Sequence, residues 1–156
     1  MTSHKAMSRS TPSAVTINTI VTSQLAVPTH GMGFVDITAD AAAFLEEAGA
    51  REGTLTVFIR HTSASLTIQE NADPTVLDDL QSALKRAAPE DAPWTHDTEG
   101  SDDMPAHVKT MLTSTSLQIP VQGGELLLGS WQAIYLIEHR RKPHRRDIVL
   151  QFIGAI

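Results

Sequence analysis

Ser116-Leu117-Gln118-Ile119-Pro120-Val121-Gln122-Gly123-Gly124-Glu125-Leu126-Leu127-Leu128, followed by Trp131-Gln132-Ala133-Ile134-Tyr135-Leu136-Ile137-Glu138-His139-Arg140, decides the fold. A Gly-Gly pair between two apolar runs is a hairpin signal. After a basic turn, a further strand is predicted over residues 147–153. In the run 131–140, Ala133, Tyr135 and Ile137 share one face, while Ile134 and Leu136 share the other with Glu138. A strand apolar on both faces is central in its sheet or covered by a neighbouring subunit.

Upstream, helices are interspersed with strands. Alternation from Val15 through Val21 to Leu25 predicts a half-buried strand, Phe34 to Ile37 a short one, and Thr54 to Arg60 a clear one. Ser65 to Gln69 is expected to pair back on the last of these as a hairpin. Thr38 or Asp40 is expected to cap a helix ending at Gly49. Asp73-Pro74 starts a second helix, with an Asp cap, Pro at the first helical position and an apolar stripe of Val76, Leu77, Leu80 and Leu84. Residues 89–104 read as a long acidic loop. A short helix is predicted from Pro105, with Val108, Met111 and Leu112 on one side. Helices first and consecutive strands last predict an α+β fold with a mixed or antiparallel sheet and two to three helices. Residues 1–13 read as a disordered leader and residues 14–156 as a single domain.

Composition narrows the chemistry. The net charge of −6 argues against nucleic acid as partner. No apolar run approaches the ~20 residues of a membrane helix. The N-terminal stretch lacks the apolar core of a secretory signal, so a cytoplasmic location is the default expectation. Cysteine is absent, which excludes thiolate nucleophiles, disulfides and thiolate metal sites. A transition metal would have to be held by His, Asp or Glu.

Three histidines in polar settings are therefore the leading candidates. His61 opens His61-Thr62-Ser63-Ala64-Ser65 at the end of a strand, and if that strand runs one residue further, parity turns it to the same face as Leu55, Val57 and Ile59. His96 stands beside Asp97 in the acidic loop. His107 lies in the first turn after Pro105, where the helix dipole favours the neutral imidazole that binds metal. Catalytic zinc sites often use three protein ligands and leave one position open. The plainer readings are a satisfied core histidine, a solvated loop and a solvent-facing helix residue. Thr62, Ser63 and Ser65 add hydroxyls for substrate binding. Glu70 and Asn71 could orient a ligand. Glu138 ends an apolar face and needs a metal, an arginine or a proton, which makes it a candidate acid or base. Arg140 and Arg146 belong to a basic turn that suits phosphate, or that simply protects a sheet edge.

Taken together, His61-Thr62-Ser63-Ala64-Ser65-Leu66-Thr67-Ile68, Glu70-Asn71-Ala72-Asp73-Pro74, His96-Asp97, Pro105-Ala106-His107-Val108-Lys109 and Leu128-Gly129-Ser130-Trp131-Gln132 resemble the YjbQ family, known as secondary thiamine-phosphate synthase. The likeness covers residues 15–154. It implies the family's own α+β fold, a homotrimer, and a site between subunits with a histidine-bound divalent metal, zinc by preference. The metal candidates are His61, His96 and His107. Glu138 and Arg146 fall on the family's acidic and basic positions near the C-terminus. The implied activity is a transferase reaction that joins a pyrimidine diphosphate to a thiazole phosphate. A metal-dependent hydrolase of a small phosphorylated or amide metabolite is the alternative, and a non-catalytic metal- or metabolite-binding trimer is another.

Overall fold

The computed structural model describes residues 6–156; the first five residues of the expected leader, His4 among them, lie outside the described residues. Residues 6–18 are exposed and without regular structure. Among the described residues the chain forms β1 (Thr19–Thr29), β2 (Gly33–Asp36), α1 (Thr38–Glu47), β3 (Glu52–Ile59), β4 (Ala64–Glu70), α2 (Pro74–Ala87), α3 (Asp103–Leu112), β5 (Ser116–Gln122), β6 (Glu125–Leu126), β7 (Gln132–Glu138) and β8 (His144–Ala155). The fold is α+β with three helices.

The strands form two antiparallel sheets, one of five strands ordered β1-β8-β3-β5-β6 and one of three ordered β2-β7-β4. Nothing in either sheet is parallel, so of the two arrangements expected the antiparallel one holds. The core is filled from both sheets: Leu55, Val57 and Ile59 of β3 and Ile148, Leu150 and Phe152 of β8 join Leu66, Ile134 and Leu136 of the smaller sheet. Each set shares one strand parity, which is what burying one face of a pleated strand requires. β7 is the middle strand of its sheet and is buried from Ala133 to Glu138, as its two apolar faces predict.

Several local expectations need correction. The strand expected from Val15 begins at Thr19, and Val15 and Ile17 are exposed. β3 and β4 do not form a hairpin. β4 pairs with β7, so residues 60–63 carry the chain from one sheet to the other. The cap of α1 is neither Thr38 nor Asp40. Asp36 Oδ1 accepts the Thr38 N–H at 2.9 Å, and the Thr38 hydroxyl accepts the Ile134 N–H instead. At the other end Gly49, with φ of +66°, lets its N–H reach the Glu46 carbonyl while Ala50 N–H reaches that of Leu45. That pair of bonds is the Schellman ending that favours glycine. α2 starts as expected, with Asp73 Oδ1 accepting the Thr75 N–H at 2.9 Å. α3 begins at Asp103, before Pro105, and buries Pro105, Ala106 and Lys109, whereas Met111 and Leu112 are exposed.

Where β3 and β8 pair at Gly53 and Gly154, the backbones come too close for side chains. A Cβ on Gly154 would stand 2.1 Å from the Glu52 carbonyl oxygen. None of the described helices is long and apolar enough to cross a membrane.

Candidate functional site

The acidic loop folds back so that His96 meets the first turns of α3. Asp103 and His107 are one helical turn apart and project together, as residues four apart on a helix do. His96 Nε2 lies 2.8 Å from Asp103 Oδ2, and His107 Nε2 lies 3.4 Å from the same oxygen. The two rings meet edge to face with centroids 5.7 Å apart. One ligand atom from each of the three residues lies within 4.8 Å of the other two. Donors held ~2.0–2.1 Å from a tetrahedral zinc stand roughly 3.4 Å apart, so the cluster needs only a small adjustment to hold such an ion. Glu99 Oε2, 2.9 Å from His96 Nε2, stands beside it as a further carboxylate.

The surroundings prepare these donors. His107 Nδ1 lies 3.0 Å from the Thr62 carbonyl oxygen, to which it donates, so that Nε2 is left bare and aimed at Asp103. A backbone carbonyl on the far nitrogen is the usual way a ligating imidazole is oriented. Arg140 binds Asp103 Oδ1, pairs with Asp102 at 3.2 Å and donates to the Glu99 carbonyl at 2.8 Å. Burial pushes the Asp103 carboxyl up, but the His96 hydrogen bond, Arg140 and His107 together hold it below the usual range. The carboxylate is therefore charged and ready for a cation. The Asp103 hydrogen bond in turn raises the pKa of His96, so a proton and a metal compete for one site.

His61 is not part of this cluster within one chain. Its Nε2 accepts the Asp147 N–H at 2.8 Å, and its Nδ1 faces Arg146 at 3.4 Å. Burial, followed by Arg146, lowers its pKa and keeps it neutral. The Nε2 lone pair is thus occupied, and within one chain it is Asp103 that stands between His96 and His107. Glu138 is fully buried and takes the arginine among its three possible partners. Oε1 accepts from Arg146 Nε at 2.7 Å and Thr29 Oγ1 at 2.6 Å; Oε2 accepts from Arg146 Nη2 and the Arg140 N–H. Burial raises its pKa most, yet these bonds outweigh it and the carboxyl stays below its ordinary value. With its oxygens so engaged, Glu138 holds Arg146 in place instead of standing free as an acid or base. Arg146 also donates to Ser63 Oγ at 3.0 Å and to the Ser63 carbonyl.

Thr62 and Ser63 line an open cleft of about 500 Å³ with Phe58, Arg60 and His61. Thr62, whose carbonyl receives His107, joins that cleft to the cluster of His96, Asp103 and His107. Ser65 is fully buried, and its hydroxyl lies 2.8 Å from His139 Nε2. It faces no cleft. Glu70 and Asn71 sit at the far end of β4, ~20 Å of extended chain from Ala64, and the Asn71 N–H is bonded to the Trp131 carbonyl. Within one chain the fold keeps them away from the histidines. A second cleft, about 340 Å³, adjoins His96 and is walled by Trp94, Asp97 and Met104.

The sequence reading missed Asp103 and His139. Asp103 was one acid among six in a loop; its i,i+4 spacing to His107, with Pro105 tolerated in a first helical turn, was the available signal. His139, placed by sequence near a basic turn, is fully buried; burial, then Lys109, lowers its pKa to about 3.

Comparison with known proteins agrees with this fold. The model of the family described as UPF0047 protein YjbQ-like matches residues 23–155. The chain is 45% identical over 133 residues to UPF0047 protein sll1880 of Synechocystis, covering 85% of this chain and 90% of that one. It is 36% identical to UPF0047 protein YugU of Bacillus subtilis, over 77% of this chain and 89% of the relative. Among solved structures, a conserved hypothetical protein of Thermus thermophilus is 38% identical with a TM-score of 0.73, over 81% of this chain and 97% of its own. A YugU orthologue from Clostridium acetobutylicum gives 34% and 0.74, over 85% and 98%. With nearly the whole folded region matched in sequence and in structure, the chain belongs to the UPF0047/YjbQ-like family.

Proposed function

We propose that the protein is a divalent-metal-dependent enzyme acting on a small phosphorylated metabolite, with His96, Asp103 and His107 as metal ligands and thiamine-phosphate synthesis as its first assigned reaction. The observation that carries the metal reading is the convergence of two imidazole nitrogens on one charged, buried carboxylate oxygen. A two-histidine, one-carboxylate set leaves coordination positions open and suits zinc or another divalent transition metal. When bound, such an ion would draw off the negative charge that develops on a departing diphosphate or on an attacked phosphoryl group. Arg140 fixes Asp103, and the Thr62 carbonyl fixes His107, so both ligands keep their geometry. The cleft walled by Trp94 and Met104 offers space for a flat heterocycle beside them.

The transferase assignment comes from the family likeness, and Arg140 does not serve it as a phosphate clamp because its guanidinium is committed to carboxylates. One observation favours hydrolysis as a second reading. Glu99 is 63% exposed and its carboxylate lies 2.9 Å from His96 Nε2, where it could take a proton from an attacking water. It is better placed for that than the sealed Glu138.

A homotrimer completes the proposal. Phe58, Met111, Leu112, Leu127 and Trp131 are large apolar residues left exposed on one chain, which supports a covering partner. An intersubunit site would also give Glu70 and Asn71 a route to a neighbour's histidines.

The test is metal content, subunit mass and turnover together. Purified protein should carry about one zinc-like ion per chain. His96→Ala, Asp103→Asn and His107→Ala should lose the metal and the release of pyrophosphate from a pyrimidine diphosphate with a thiazole phosphate; His61→Ala should keep the metal. Metal retained in all three variants would overturn the ligand set. Metal lost but no turnover on either the coupling or a panel of phosphate esters would leave a binding protein.

A further inference from the structure

Lys109 is fully buried, and it is among the largest side chains in that state. It sits on the side of α3 turned away from His107, since two residues along a helix rotate by about 200°. None of the ion pairs among the described residues includes Lys109. An ammonium on so buried a side chain is costly without a counter-charge.

Lys109 lines a cleft of about 370 Å³ between the end of α2 and α3, along with Lys85, Ala88, Pro89, Glu90 and Arg141. The lining carries three cationic side chains and one carboxylate, in a chain whose net charge is −6. Glu90 is already paired with Arg141. The excess positive charge therefore has no protein partner.

We propose that this cleft is a binding site for an oxyanion, a phosphate or carboxylate group of a small metabolite, seated against Lys109 at its floor with Lys85 at its wall. The bound group supplies the counter-charge that the fold omits. The cleft lies on the opposite face of α3 from the metal cluster, so it stands independently of the metal-enzyme reading.

Inorganic phosphate and acetate are the probes, with chloride at matched ionic strength as the reference. The wild-type chain and His107→Ala should both show a saturable rise in unfolding temperature with phosphate. Lys109→Met should show none, and Lys85→Ser should bind about tenfold more weakly, the loss expected for one charge-assisted contact. A response to phosphate alone assigns phosphate esters as the ligand class, and a response to acetate as well extends it to carboxylates. No saturable response in the wild type, or an equal one in Lys109→Met, overturns the proposal. So does loss in His107→Ala with retention in Lys109→Met, which would place the anion at the metal cluster. Should Lys109→Met fail to fold, reductive methylation of the wild type followed by mass spectrometry decides: phosphate must slow modification of Lys109 and leave Lys142 unaffected, and an unchanged Lys109 rate refutes the site.

Discussion

Arg146→Met tests the ion pair that closes one end of the core. Arg146 and Glu138 are both buried, and the guanidinium provides two of the four donors that reach the carboxylate. Methionine keeps much of the side-chain bulk and brings no donor. Thr29 Oγ1 and the Arg140 N–H remain, but the charge on Glu138 loses its counter-ion. Breaking one partner of a buried pair costs about 3–5 kcal/mol. Without the guanidinium, burial pushes the pKa of the stranded carboxyl up.

The pH dependence follows from the sign of each shift. In the wild type the folded pKa of Glu138 lies below its ordinary 4.5, so its stabilisation is full above that value and fades as pH falls through the depressed one. In the variant burial is no longer offset, the folded pKa rises above 4.5, and the destabilisation grows as pH climbs toward that raised value. The deficit of Arg146→Met should therefore be small at pH 5 and reach about 3–5 kcal/mol at pH 8, measured by urea unfolding followed by circular dichroism at fixed protein concentration. Glu138→Gln combined with Arg146→Met should recover part of it, since no charge is then stranded. A loss below about 1 kcal/mol at pH 8, the size of an exposed ion pair, or an equal loss at both pH values, would refute the reasoning.

Three further outcomes are expected. Zinc affinity, titrated between pH 8 and pH 6, should begin to fall above pH 6.5 because the Asp103 hydrogen bond raises the pKa of His96 and the proton competes earlier; an affinity flat over that range would exclude His96 as a ligand. Ser65→Ala should destabilise the fold by about 1–3 kcal/mol, because His139 Nδ1 already lacks a partner and Nε2 would lose its own; a neutral result in chemical denaturation would contradict this. Gly154→Ala should cost at least about 1–3 kcal/mol, since the new Cβ meets the Glu52 carbonyl and the Phe152 ring; a melting temperature equal to wild type would show that the two strands can part at no cost.

What was legible in the sequence followed from local chemistry. The Asp73-Pro74 start of α2 and the burial of β7 on both faces were readable because each depends on a few adjacent residues. The chemistry of His96 and His107 was visible, but their third partner was not. Asp103 becomes a neighbour of His107 only once the helix is known to begin at Asp103, and an acidic loop offers no reason to choose it. His61 was grouped with them on its polar setting and on a parity that required the strand to run one residue further, whereas β3 ends at Ile59. The chain then crosses between sheets, and β8 brings the Asp147 N–H to its ring. Lys109 escaped notice because apolar spacing favoured the side bearing Val108, Met111 and Leu112, whereas packing buries the side that carries a charge.

The order of strands has a kinetic consequence. β8, which follows every other strand in the chain, lies between β1 and β3 and pairs with both. Until it arrives, β1 has no neighbour in the sheet and β3 presents an open edge, each a template for pairing with another chain. Its residues meet partners more than a hundred positions earlier at β1, such as Thr19 opposite Gly154. Pairings so distant in sequence make folding slow and leave those edges unprotected meanwhile. Chain association and strand insertion therefore race each other, and refolding yield should fall as protein concentration rises.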